Sequence, residues 1–121
     1  MYGQELILDL HNCDPTKFNR KSLRQFFQRL CEVIEMQRCK LCFWDDVGVP
    51  EEEKQTSPHT KGTSAVQFIL TSNITIHTLD ELKAVYLNIF SCKTFDSEIA
   101  TQLCREWFNG TVVNKQFIAR G

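Results

Sequence analysis

The sequence predicts an α+β fold, a two-layer sandwich in which two helices lie on one face of a mainly antiparallel sheet. Strand-like segments follow one another instead of alternating one for one with helices, which disfavours a doubly wound parallel sheet. Only two segments carry the three- and four-residue apolar spacing of an amphipathic helix. The chain has 121 residues, 42% of them hydrophobic, and no internal repeat, so residues 1–121 are read as one domain. A domain of this size is expected to bury roughly two thirds of its unfolded surface.

Leu6, Leu8 and Leu10 alternate with Ile7, Asp9 and His11 as in a half-buried strand, and Asp14-Pro15 breaks the pattern. A helix follows, with Asn19 as its N-cap, Leu23, Phe26, Phe27, Leu30, Val33 and Ile34 on its apolar face and arginines on the other. Lys40–Trp44 is a second, short strand. From Asp45 to Lys61 the sequence turns polar, holds Pro50 and Pro58, and carries the run Glu51-Glu52-Glu53-Lys54, the marks of a mobile surface loop. β-Branched and aromatic residues then predict strands at Ala65–Leu70, Asn73–Thr78 and Ala84–Cys92. Asp96 caps a second helix that buries Ile99, Leu103, Cys104 and Trp107 and stops at Asn109-Gly110. Thr111–Ile118 is the last strand, which makes the order β-α-β-β-β-β-α-β.

Charge excludes some partners. The 14 basic and 15 acidic residues are interspersed, with a net charge of -1, so neither nucleic acid nor an anionic membrane is an expected partner. No apolar run suits a signal peptide or a bilayer span, so a cytoplasmic location is expected, in which the six cysteines are reduced thiols. Cys39-x-x-Cys42 would be a metal or redox motif only in a turn, because positions three apart on a regular strand face opposite sides. His11-x-Cys13 shares a face but lacks a second pair, so no metal site is expected. Cys31 and Cys104 fit helix core faces, and Cys13 reads as structural or cavity-lining.

The residues that stand apart are Ser72, His77 and Cys92. Strand alternation puts Asn73, Thr75 and His77 on one face, with Ile74 and Ile76 in the core. On the later strand, Tyr86, Asn88, Phe90 and Cys92 share a face opposite Val85, Leu87 and Ile89. A serine hydroxyl becomes a nucleophile only when a neighbouring group manages its proton, and His77 is the candidate. An ordinary thiol, with a pKa of about 8.5, is mostly protonated at neutral pH, which suits Cys92 to act as an acid.

The run Ser72-Asn73-Ile74-Thr75-Ile76-His77-Thr78, the cysteine twenty positions after Ser72, the opening Gly3–Asp14, the approach Gly62-Thr63-Ser64-Ala65 and the strand Asn88-Ile89-Phe90-Ser91-Cys92 together resemble the prokaryotic-type S-adenosylmethionine decarboxylases. The resemblance covers nearly the whole chain, the loop before Gly62 least. It implies a two-layer sandwich whose protomers stack their sheets into a homodimer, and a pyruvoyl cofactor made from Ser72 by self-cleavage between Thr71 and Ser72. By the same match, Ser64 and His77 assist processing, Cys92 is the catalytic acid and Glu81 binds the substrate's ribose. The implied function is decarboxylation of S-adenosylmethionine in spermidine synthesis. The alternatives are a relative that decarboxylates ornithine or arginine, or a non-processing homologue that regulates an active paralogue.

The chain departs from the family pattern at Thr71, where glutamate is usual, at Asn73 for histidine, at Asn88 for aspartate and at Lys93 for glycine. Pro58 stands where an aromatic residue stacks on adenine, which puts the nucleoside substrate in question, with His59 or a nearby phenylalanine as possible substitutes.

Overall fold

The computed structural model describes residues 2–121. Its order is β1 (Gly3–His11), α1 (Arg20–Val33), β2 (Arg38–Trp44), β3 (Gly62–Ile69), β4 (Ser72–Leu79), β5 (Ala84–Ser91), α2 (Ser97–Phe108) and β6 (Thr111–Arg120), with short helical turns at Pro15–Lys17 and Glu51–Glu53. The six strands form one sheet in the order β2-β3-β4-β5-β1-β6, every neighbouring pair antiparallel. Both helices cover one face, as the sequence predicts.

The core lies between that face and the helices. Leu6, Leu8, Leu10, Ile74, Ile76, Val85, Leu87 and Ile89 supply its sheet side, and Leu23, Phe26, Phe27, Leu30, Cys104 and Phe108 its helix side. Asn19 caps α1 by accepting from the Ser22 N–H, and Asp96 caps α2 by accepting from Glu98 and Ile99. α2 ends on Asn109 in the left-handed region, next to Gly110. Trp107, half-buried, reaches across to α1 through Nε1–H to Ser22 Oγ at 3.0 Å.

Three expectations change. Ile99 is 44% exposed, and Ala100, Thr101, Cys104 and Phe108 form the buried stripe, because α2 meets the core one residue further round than its apolar pattern suggests. Between Arg38 and Leu41 the β2 register slips against β3, so strict alternation does not hold across Cys39–Cys42. The Gln67 amide, fully buried on β3, fills that irregularity by donating to the carbonyls of Cys39, Lys40 and Phe68. The loop from Asp45 is tethered rather than free. Arg20 grips the Asp45 carboxylate with two bonds of 2.7 Å, and the Gln55 N–H donates to Asp46 at 2.9 Å.

Candidate active site

Among the described residues no helix covers the other face of the sheet, and the candidate residues gather at the two ends of the strands. One end is the hairpin between β3 and β4. Ile69 pairs with Ser72, which leaves Leu70 and Thr71 as a two-residue connection. Ser72 is buried, and its Oγ accepts the Cys92 backbone N–H at 2.8 Å. A donor on Oγ favours negative charge there and leaves the hydroxyl's own proton for a base. The Cys92 thiol donates to the Leu70 carbonyl at 3.6 Å and, with Glu35, Met36, Gln37, Leu70 and Lys93, lines a cavity of about 260 Å³. Lys93 Nζ is committed to the Glu35 carbonyl at 2.6 Å.

At the opposite end a row crosses four strands, since Trp44 pairs with Ser64, Ser64 with His77 and His77 with Tyr86. Ser64 Oγ and His77 Nδ1 lie 2.7 Å apart. For His77 to act as a base at Nε2, Nδ1 must carry the proton and donate it to Ser64 Oγ. Trp44, Tyr86 and His59 join Ser64 and His77 around a cavity of about 380 Å³. Gly62 begins this end for a steric reason, because a Cβ there would stand 1.7 Å from the Thr78 carbonyl oxygen. Glu81, in the β4–β5 turn, faces Lys61 at 3.8 Å and does not line that cavity. Burial and the nearby carboxylates of Glu81 and Asp46 raise the pKa of its neighbour Asp80, against the opposing pull of Lys61.

The structure therefore joins Ser72 to Cys92 and Ser64 to His77 but does not bring the two pairs together within one chain. Ser72 and His77 are five residues apart on one extended strand, about 16 Å, and His77 lies on the uncovered face while Ser72 follows the buried alternation. Between the ends, Asn88 donates to Glu5 at 2.7 Å, and Glu5 pairs with Arg120, which also lies over the Phe90 ring. An aspartate at position 88 would repel Glu5, so this departure has a local cause. Of the other thiols, Cys13 and Cys31 are each pushed up to about 11 by burial, and Cys104 is raised further, so none of these three is a ready nucleophile or acid.

Trp44 was not legible as a site residue. Its place beside His77 depends on the pairing of β2 with β3, which composition does not reveal, and its only sequence signal is a large aromatic ending a strand before a polar loop.

The two-layer α+β fold has a counterpart among solved structures. The crystal structure of the adenosylmethionine decarboxylase from Aquifex aeolicus matches with a TM-score of 0.75 at 18% identity, over 99% of this chain and 91% of that one. The family model for S-adenosylmethionine decarboxylase matches residues 4–121, and the chain belongs to that family. No curated protein sequence matches it. Among the described residues, no helix is long and apolar enough to cross a membrane.

Proposed function

We propose that this chain is a pyruvoyl-dependent decarboxylase of S-adenosylmethionine in polyamine synthesis, matured by cleavage between Thr71 and Ser72. The observation that carries the reading is the contact of Ser72 Oγ with the Cys92 N–H at 2.8 Å, at the start of β4. The residues present fit a pyruvoyl group. After cleavage, position 72 would begin a strand still held by the pairing of Asn73 with Phe90, so the new terminus would stay beside Cys92. Once formed, the group supplies a ketone that takes the substrate amine and accepts the electron pair left when carbon dioxide departs. Cys92 Sγ carries the proton for the carbon that lost the carboxylate.

The separation of the two pairs supports a homodimer. Trp44, Phe68, Tyr86 and Ile118 are exposed on the uncovered face or its rim, an apolar area suited to a second copy of the same face. If the twofold axis lies between the sheets and across the strands, each hairpin end meets the other protomer's Ser64–His77 end. His77 of one chain would then serve Ser72 of the other. Trp44 and Tyr86 offer the aromatic surface that Pro58 does not, which favours a purine nucleoside substrate, and Glu81 is the candidate for its ribose hydroxyls. The basic amino acids remain the second reading because Asp80 and Glu81 lie at the same end, where a distal cation would be met.

Intact mass separates enzyme from non-enzyme. The wild-type chain should split into residues 1–71 and 72–121, the second with a carbonyl-reactive N-terminus, while Ser72→Ala stays whole. A folded wild-type protein that remains at 14.1 kDa through long incubation contradicts the reading. Carbon dioxide release from S-adenosylmethionine, ornithine and arginine then separates the substrates.

A further inference from the structure

Five described residues other than glycine have positive φ: Asn12 at 56°, Glu35 at 58°, Thr71 at 57°, Lys83 at 50° and Asn109 at 49°. Asparagine adopts this conformation readily, and Glu35 and Asn109 follow helix ends, where it is common. Thr71 is the β-branched member of the set, and a β-branched side chain in the left-handed region crowds its own backbone. It is also the residue whose carbonyl would be attacked.

The hairpin leaves Thr71 little choice. Two-residue connections favour turns with both central residues left-handed, or the first alone, whereas here only the second is. The surroundings hold that arrangement from several sides. The Leu70 N–H donates to the Gln37 carbonyl at 3.1 Å, the Leu70 carbonyl accepts from Cys92 Sγ at 3.6 Å, and Ser72 Oγ is fixed by the Cys92 N–H at 2.8 Å. Ile69, 2% exposed, anchors the incoming strand in the core. A sparsely populated conformation persists when its surroundings over-determine it in this way.

We propose that Thr71 is a positioning residue for self-cleavage, in which strain held at its left-handed backbone raises the precursor toward the transition state for breaking the Thr71–Ser72 peptide. This inference rests on the processing reading above. In the step concerned, Ser72 Oγ bonds to the Thr71 carbonyl carbon, the carbon–nitrogen bond breaks, and the hydroxyl proton ends on the Ser72 nitrogen. The ester so formed runs through the Ser72 Cβ and Oγ, one atom longer than the path through the amide nitrogen, and the lengthened turn lets the Thr71 backbone relax.

The test is a substitution series at position 71, read two ways. Cleavage rates by intact mass should fall in the order Thr71→Val, wild type, Thr71→Asn, Thr71→Gly, with glycine slower than wild type on the order of tenfold. Thermal stability of the same series in the uncleavable Ser72→Ala chain should run in the opposite order, with glycine the most stable. A purely structural role would make the least stable variants the slowest, so an inverse relation is the signature of strain. Thr71→Gly cleaving as fast as wild type, or stability and rate rising together, overturns the inference and leaves the processing reading standing. A wild-type chain that never cleaves overturns both.

Discussion

The two ends of the sheet are built differently. At the hairpin end, Ser72 is buried, its oxygen is already bonded, and the preceding residue sits in a conformation its side chain disfavours. At the far end, Ser64 and His77 pair on an open surface flanked by aromatic rings, and the positive-φ residue there, Lys83, lies in the β4–β5 turn and not next to either of them. On the proposed reading, one end holds the bond to be broken, and the other offers a base and a place for a flat ligand. Neither end is a complete site, and the strand between them is too long for one chain to close the gap.

Removing side chains from each end should break different steps. Cys92→Ala is expected to keep cleaving at least in part but lose turnover by roughly 10²–10⁴-fold, the usual contribution of a positioned acid, while His77→Ala should slow cleavage itself. Equal loss of maturation in both variants would erase the distinction between the ends. Intact mass for maturation and carbon dioxide release per cleaved chain measure the two quantities separately.

The fold was legible because strand and helix periods are both clean here. Leu6, Leu8 and Leu10 all face the helices, and the caps Asn19 and Asp96 stand where their helices begin. Ile99 was misjudged because an apolar residue at helical spacing carries no sign of which side the core lies on. The candidate residues were singled out one by one by their resemblance to the family's motifs. Which of them meet was not legible, because alternation reports the face of a strand and not what covers it. Trp44 was invisible for a related reason: cross-strand neighbours follow from register, and the register of β2 includes a slip.

The aromatic end can be sharpened through the substrate. Trp44→Ala should raise KM for S-adenosylmethionine roughly tenfold or more, since stacking of a base on an aromatic side chain contributes ~1–3 kcal/mol, and Trp44→Phe should recover part of it. Steady-state kinetics of cleaved protein check this, and an unchanged KM for both variants would remove the ring from the substrate site.

A smaller effect concerns the loop beside Trp44. The Arg20 hydrogen bonds hold the Asp45 carboxyl below its ordinary value, so the pair stabilises the fold fully above about pH 3.9 and less as pH falls through the lowered folded-state value. Arg20 is partly exposed, so solvent screening keeps the contribution small. Asp45→Asn should therefore lower stability slightly at neutral pH and flatten the acid limb of a denaturation profile. A profile with the wild-type slope would show that the tether is not linked to stability.

The central claim is that Ser72 of one chain is served by His77 of another. Co-expression of a Ser72→Ala chain with a His77→Ala chain, tagged to differ in mass, tests it. In a mixed dimer the intact Ser72 of the second chain faces the intact His77 of the first, so the His77→Ala chain should be cleaved faster than when expressed alone, while the Ser72→Ala chain stays whole. If the His77→Ala chain is cleaved no faster in the mixed dimer than by itself, the site is not shared between protomers and the account fails.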